Sequence, residues 1–480
     1  MLQLKTAIAT NRFGLGAKPG DGNRVGNDPA AWLESQLNPV REVRTASGRP
    51  QSALVLEEVN RLRLAQQAAR SAVRDEPIEV DQESIREFTQ YIAQSYRSQA
   101  AASLLAGIES EQPFRERLVR FWSNHFAVSA DKQPVGAIAA HYRDEAIRPH
   151  ITGNFRNMLT AAVRHPAMLL YLDNPQSIGP NSMLGARANR NRRAGLNENL
   201  AREILELHTL GVDGGYSQQD VIEFAKSLTG WSVGTASSAE RMGPALRRAT
   251  GTAEAGAPGE FTFRTAVHEP GAKTIFGQRF EEGGVDEAES VLNFLATRTQ
   301  TAHFLAAKLV RHFVADQPPA KLVEHLADAY LENDGELTPV YRELIRAQES
   351  WLEPLAKYKT PQEFLISTYR ALGAPPRNQN PGNQLVGLAT QIGQRPLTPG
   401  SPAGWPDIAE QWNGGDALLK RIEFATQVGA NIGDRIDALG RLDDVLGETA
   451  SDATRQGIQR AESGAQAIAL LLAAPEFHRR

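Results

Sequence analysis

The sequence predicts a predominantly α-helical protein, a large multi-helix domain carrying a small β-hairpin element and two polar loop inserts. Three observations carry that reading. Over most of the chain apolar residues recur at three- and four-residue spacing, the period of a half-buried helix. Strand-forming runs are confined to residues 261–280, where Phe261–Arg264 and Lys273–Phe276 flank a loop holding His268 and Pro270–Gly271. Two stretches, 174–195 and 232–260, are rich in small and polar residues and lack apolar periodicity.

Residues 1–27 join a short helical pattern to the turn cluster FGLGAKPGDG. Asp28 then suits a helix cap and Pro29 the first helical position. Residues 41–85 are polar and mostly helical, with a loosely ordered end expected near Asp75–Pro77, and 82–109 read as one long helix. In 114–128, Phe114, Leu118, Phe121, Trp122 and His125 fall on one helical stripe. Asn154 suits the cap of the next helix, and Pro166 starts a further turn. The insert 174–195 reads as a long exposed loop. Helical spacing returns over 286–316, 320–332, 339–349 and 361–372. A Pro/Gly-rich connection, 374–415, contains GWPDIAEQW, whose Trp405 and Trp412 suit a groove wall. Residues 416–446 and 452–474 are helical in pattern, and no internal repeat is present.

The bulk numbers exclude several classes. At 480 residues the chain can bury a sizeable core, and its 41% hydrophobic and 22% charged content is that of an ordinary folded protein. A net charge of −4 gives no bulk attraction to nucleic acid. The absence of cysteine removes disulfides, zinc-thiolate sites and cysteine nucleophiles. No run approaches the ~18–20 apolar residues of a membrane span. The first twenty residues lack the apolar core of a secretory leader, so a cytoplasmic location is expected. A form whose leader has been removed reads the same way and is periplasmic.

Chemistry-bearing residues are densest in 195–231, GLNENLAREILELHTLGVDGGYSQQDVIEFAKSLTGW. Asn197 is the expected cap and Gly211 the stop of a helix over 197–210, and Ser217 with Asp220 forms a capping box on the next one. At about 100° per residue, Leu200, Ile204, Leu207 and Gly211 form the buried stripe. Glu203 and Glu206 cluster beside it, and Arg202 reaches Glu198 or Glu206 at four-residue spacing. The carboxylates either form a solvated, arginine-paired face or work together as an acid/base pair. Metal ligands on one helix need i,i+3 or i,i+4 spacing, so His208 points away from both carboxylates unless the helix end is distorted. A histidine at the core edge is the bland reading for His208, and for His125 among its aromatic neighbours.

His268 and Lys273 sit beside the tight Pro-Gly loop. A cation with an imidazole suits phosphate, sulfate or carboxylate, against the plainer reading of a solvated hairpin loop. Asp173 precedes Asn174–Pro175, where a turn role competes with service as a metal ligand. The candidate set is therefore Glu203, Glu206, Arg202, His268 and Lys273 for catalysis, with His125, Asp173 and His208 as ligands of a divalent metal ion. P-loop, dinucleotide and nucleophile-elbow spacings are absent, as is the full EF-hand ligand pattern.

FWSNHFAVS, HPAMLLYLDN, LNENLAREILELHTLGVDGGYSQQDV, LTGW, H-x-x-G-x-K-T-I-x-G and GWPD occur in that order. Together they resemble the bacterial family of domain of unknown function 1800. The resemblance runs from RFGLGAKPG to the last helices, and it implies one helical domain over 1–480. It also implies a neighbour protein of the sulfatase/phosphatase type, and export in many members. No catalytic residue comes with it.

Two functions from different classes fit the residues. One is a hydrolase-like enzyme with a polar site on helix 197–210 that other segments complete. The other is a non-catalytic binding or maturation partner that uses the two inserts for recognition.

Overall fold

The computed structural model describes residues 1–38, 50–72, 82–188, 195–235, 257–352, 355–373, 375–376, 380–432 and 435–480. The expected loose end near Asp75–Pro77 lies outside them. So do 189–194 of the first polar insert and 236–256 of the second.

The helices used below are α1 (Pro113–His125), α2 (Asn199–Glu203), α3 (Gln218–Ser227), α4 (Val285–Ala296), α5 (Thr299–Phe313), α6 (Pro361–Leu372), α7 (Pro381–Gln391), α8 (Gly415–Ile432) and α9 (Gly464–Ala473). Local signals place them. Pro113 occupies the first turn of α1, and the stripe Phe114, Leu118, Phe121, Trp122 and His125 is buried. Asp28 and Asn154 cap their helices, and Ser217 and Asp220 complete the capping box of α3. The connection 374–415 holds α7, whose N-terminus is capped by Asn380.

The helix expected over 197–210 is not uniform. α2 ends at Glu203, and Ile204–Thr209 continue as a π-helix. The Thr209 hydroxyl donates to the Ile204 carbonyl at 2.7 Å, five residues back, and so supports the wide turn. Asn197 stands one residue before the N-cap Glu198, where its side chain accepts from Asn199 N at 3.0 Å. Gly211 takes the left-handed conformation, φ 84°, that stops the run.

The β structure is two small antiparallel pairs. β1 (Trp231–Val233) pairs with β2 (Phe261–Phe263), and β3 (Lys273–Ile275) pairs with β4 (Gln278–Phe280). The two runs expected to flank one loop therefore each take another partner. Phe276 and Gly277 both have positive φ, which closes a two-residue turn and folds β3 straight back onto β4. That leaves β2 free to pair with the strand that follows α3.

The described part of the first insert is packed in part, although Gln176, Asn181, Met183 and Leu184 are exposed. Asn174, Ser177 and Ser182 are buried. Asn174 donates to the carbonyls of Leu228 and Trp231, at 3.1 and 2.8 Å, and so gives this stretch an internal place that apolar periodicity does not reveal.

Buried apolar side chains form two clusters. The larger one gathers α1, α4, α5 and the aromatic side chains around Trp122 and Phe155. The smaller one gathers α6, α7, α8 and α9 with Leu2, Ala7 and Leu15 from the N-terminal segment. Polar side chains from α1 and α5 meet the start of α6 where the clusters adjoin.

Candidate functional site

At that junction lies a cavity of about 630 Å³. α1 contributes Arg117, Arg120, Phe121, Asn124 and His125, at helical spacings that put them on one face. α5 contributes Lys308, Arg311 and His312, again three and four apart. Thr360 and Glu363 come from the start of α6, and Trp405–Ile408 close the remaining side.

Each wall is fixed by a specific device. Thr360 and Glu363 form a reciprocal capping box, with Thr360 N donating to Glu363 Oε2 at 2.8 Å. Asn124 clamps the Trp405 backbone from both sides: its amide donates to Trp405 O at 2.9 Å and its carbonyl accepts from Trp405 N at 2.7 Å. Gly404 makes the clamp possible, because its φ is 82° and an added Cβ would lie 2.3 Å from Asn124 O.

Within these walls the ionisable groups close a ring. Arg117 binds Glu363, and Arg480 Nε also reaches Glu363 at 3.1 Å. Arg480 Nη2 meets Asp407 Oδ1 at 3.2 Å, and Asp407 Oδ2 meets His312 Nδ1 at 2.5 Å. His312 Nε2 lies 3.4 Å from Arg117 Nη1, which completes the circuit. Lys357 joins Asp407, at 3.4 Å, to Asp316.

Burial alone would raise the Glu363 and Asp407 pKa values. Arg480 and Arg117 hold Glu363, and His312, Arg480 and Lys357 hold Asp407, well below the usual carboxylate range. Burial pulls His312 down to about 4 in spite of Asp407. A carboxylate can only accept, so Nδ1 of the neutral ring carries the proton and Nε2 presents its lone pair, with Arg117 Nη1 as a weak donor 3.4 Å away.

Lys308 and Arg311 differ from the other cations of the cavity. Among the described residues neither has a carboxylate within 4.0 Å. Lys308 lies over the Phe304 ring, 5.4 Å from its centroid, and Arg311 Nε reaches only the Asp316 carbonyl, at 3.4 Å. Burial brings the Lys308 amine down to about 8, Asp407 acting against the shift and Arg311 with it.

Of the residues singled out from sequence, His125 lines this cavity, and so does Trp405. His208 is completely buried behind His125, their ring centroids 5.8 Å apart, and its backbone carbonyl faces His125 Nε2 at 3.1 Å. The π-turn does not bring His208 round to the carboxylates: His208 faces inward while Glu203 and Glu206 stay half-buried outside. Burial, then Lys308, pulls His208 down to about 3. Burial likewise drives His125 well below the ordinary histidine value.

The other candidates lie apart from the cavity wall. Arg202 pairs with Glu198 at 2.9 Å and Glu206 at 3.4 Å. Burial, then Glu206, raises the Glu203 pKa. Asp173 is held by Lys132 at 2.6 Å. His268 and Lys273 do come together, but on an internal carboxylate. Glu287 lies 3.4 Å from His268 Nε2 and 2.9 Å from Lys273 Nζ, and all three side chains are buried. Among the described residues, no group of three or more His, Asp or Glu side chains is placed to hold a metal ion. None of the described helices is long and apolar enough to cross a membrane.

The family model described as "Protein of unknown function (DUF1800)" matches residues 8–479. The chain belongs to that family. No curated protein and no solved structure matches it. The cavity of this DUF1800 protein therefore has to be read from its own chemistry.

Sequence reasoning missed Arg117, Lys308, His312, Glu363, Asp407 and Arg480. Two signals pointed toward them. Thr360-Pro-Gln-Glu363 is a legible capping box, and Lys308, Arg311 and His312 gather two cations and an imidazole on one helical face.

Proposed function

We propose that the protein is an enzyme that binds a small organic anion in this cavity and moves a proton on it through His312. One observation carries the reading. A neutral imidazole, oriented by Asp407, stands in the wall of a roomy cavity beside two cations, Lys308 and Arg311, that have no carboxylate partner among the described residues. A buried base with a fixed tautomer is what proton transfer requires. Unmatched cations attract negative charge, and the low dielectric of a partly closed cavity strengthens that attraction.

Calorimetric titration with sulfate and with citrate tests the anion site. Saturable binding is expected. Lys308→Met and Arg311→Met should each weaken it roughly ten- to a hundredfold, since a charge-assisted hydrogen bond contributes on the order of 1.5–3 kcal/mol. The proton-transfer part is tested by incubating the protein in D2O with a panel of small organic acids and following their C–H signals by NMR. His312→Gln should retain sulfate affinity and lose any exchange the wild type catalyses. Absence of saturable binding, or binding indifferent to both cation variants, overturns the reading.

A further inference from the structure

Among the described residues, the buried and half-buried lysines are, with one exception, tied to fixed acceptors. Lys273 donates to the carbonyls of Glu269 and Gly271 and is paired with Glu287. Lys357 bridges Asp316 and Asp407. Lys359 donates to the Phe477 carbonyl at 2.7 Å and lies over that ring. Lys308 is the exception. It lines the cavity half-buried, with an aromatic face as its neighbour and no carboxylate within 4.0 Å among the described residues.

We infer that the Lys308 amine is a nucleophile, and that the cavity takes an organic acid bearing a reactive carbonyl, such as a 2-oxo acid or an aldehyde acid, as an imine on Lys308. The inference rests on the anion-binding reading above and narrows its substrate class.

Three features of the geometry support it. Burial disfavours the charged form of the amine, Arg311 adds to that effect and Asp407 opposes it, and the Phe304 ring is the neighbouring face. Its lowered pKa leaves a substantial neutral fraction near pH 8. Arg311, three residues along the same face, is positioned for the substrate carboxylate, and guanidinium suits that planar group. His312, four residues along, supplies a neutral base on the same face.

The chemistry balances without an oxidant or reductant. The neutral amine forms a C–N bond to the carbonyl carbon, and the C=O π pair passes to oxygen. The nitrogen gives its two protons in turn to His312 Nε2, and each passes on to the oxygen, the first forming the carbinolamine hydroxyl and the second releasing it as water when the C–O bond breaks. Water leaves as the C=N bond forms, so amine plus carbonyl gives imine plus water.

The test is trapping. The whole protein is incubated with glyoxylate and sodium cyanoborohydride, and the product is read by intact mass and peptide mapping. One carboxymethyl adduct on Lys308 is expected, formed ahead of the exposed Lys5 and Lys321 and suppressed by excess sulfate. Lys308→Arg keeps the charge and the fold, checked by circular dichroism, and should abolish the adduct. Labelling spread over the exposed lysines, or none on Lys308, overturns the inference. If sulfate still binds in that case, the anion reading stands and only the imine is lost. If sulfate fails to bind and labelling ignores sulfate, both fall.

Discussion

His312 Nδ1 lies 2.5 Å from Asp407 Oδ2, although 95 positions separate the two residues. That bond locks a helix of the larger apolar cluster to the GWPD loop, and the carboxylate also meets Arg480 and Lys357. Removing the charge leaves three donors facing a neutral amide. Asp407→Asn should therefore destabilise the fold by on the order of 3 kcal/mol in urea denaturation, the scale for breaking a buried ion pair from one side. A loss below about 1 kcal/mol, the range of an exposed pair, would mean the ring does not clamp the two clusters.

The same ring sets a pH dependence. His312 has a folded pKa of about 4, below its unfolded value of about 6.5. Between those values the unfolded chain binds more protons, so stability is full above the window and falls as pH drops through it. His312 alone accounts for about 3 kcal/mol of that fall, at about 1.4 kcal/mol per unit. His208 and His478, both near 3, act with the same sign. Asp407 and Glu363, held low, extend the loss to more acid pH. His312→Gln should reduce the slope of stability between pH 6.5 and 4.5 by one proton. An unchanged slope places the proton uptake elsewhere.

The elements were legible in the sequence and the site was not, for a physical reason. Helix caps such as Asp28, Asn154 and Ser217 are local, and the residues that make them lie within four positions. The ring is built from Arg117, His312, Glu363, Asp407 and Arg480, whose spacing carries no information about who meets whom. Density of charge drew attention to 195–231, yet Arg202 there is spent on Glu198 and Glu206 beside it in sequence. His208 is buried away from Glu203 and Glu206, as helical spacing expects, although it sits in a π-turn that spacing does not anticipate. His125 was placed correctly on its aromatic stripe, and that stripe backs onto the cavity.

Glu287, beneath the Pro-Gly loop, should behave as a structural group. It neutralises Lys273 in an interior where neither charge reaches solvent. Glu287→Ala leaves that ammonium without its carboxylate and should cost about 3–5 kcal/mol. Sulfate affinity of the cavity should not change beyond the effect of lost folded protein. A variant that keeps its stability while losing sulfate binding would connect this loop to the site.

His208 makes a contrary prediction. Both of its ring nitrogens are buried and lack a hydrogen-bond partner among the described residues. An unpaired buried donor costs about 1–3 kcal/mol, so replacing the ring with an apolar side chain removes a penalty along with some packing. His208→Leu should lie within about 1 kcal/mol of the wild type, where a typical core truncation costs more. A loss above about 3 kcal/mol would show that these nitrogens have a partner in solution, and a water molecule or bound group in the space toward His125 would be the place to look.

The cavity's own titration gives the sharpest test of its electrostatics. Sulfate keeps one charge state from pH 5 to 10, so any change in its binding reports on the protein. Burial brings the Lys308 pKa to about 8, with Asp407 raising it and Arg311 lowering it, and burial holds the neighbouring imidazoles of His125 and His208 below the ordinary histidine value, so neither titrates near 8. Affinity should be full below pH 7 and should fall as pH rises through 8, by up to roughly tenfold per unit once the free amine is neutral. Bound anion favours the protonated amine, so the midpoint in the complex should lie above that of the free protein. Lys308→Met should bind more weakly and with no break near pH 8. A break that survives this substitution assigns the titration to another group and removes Lys308 from the site.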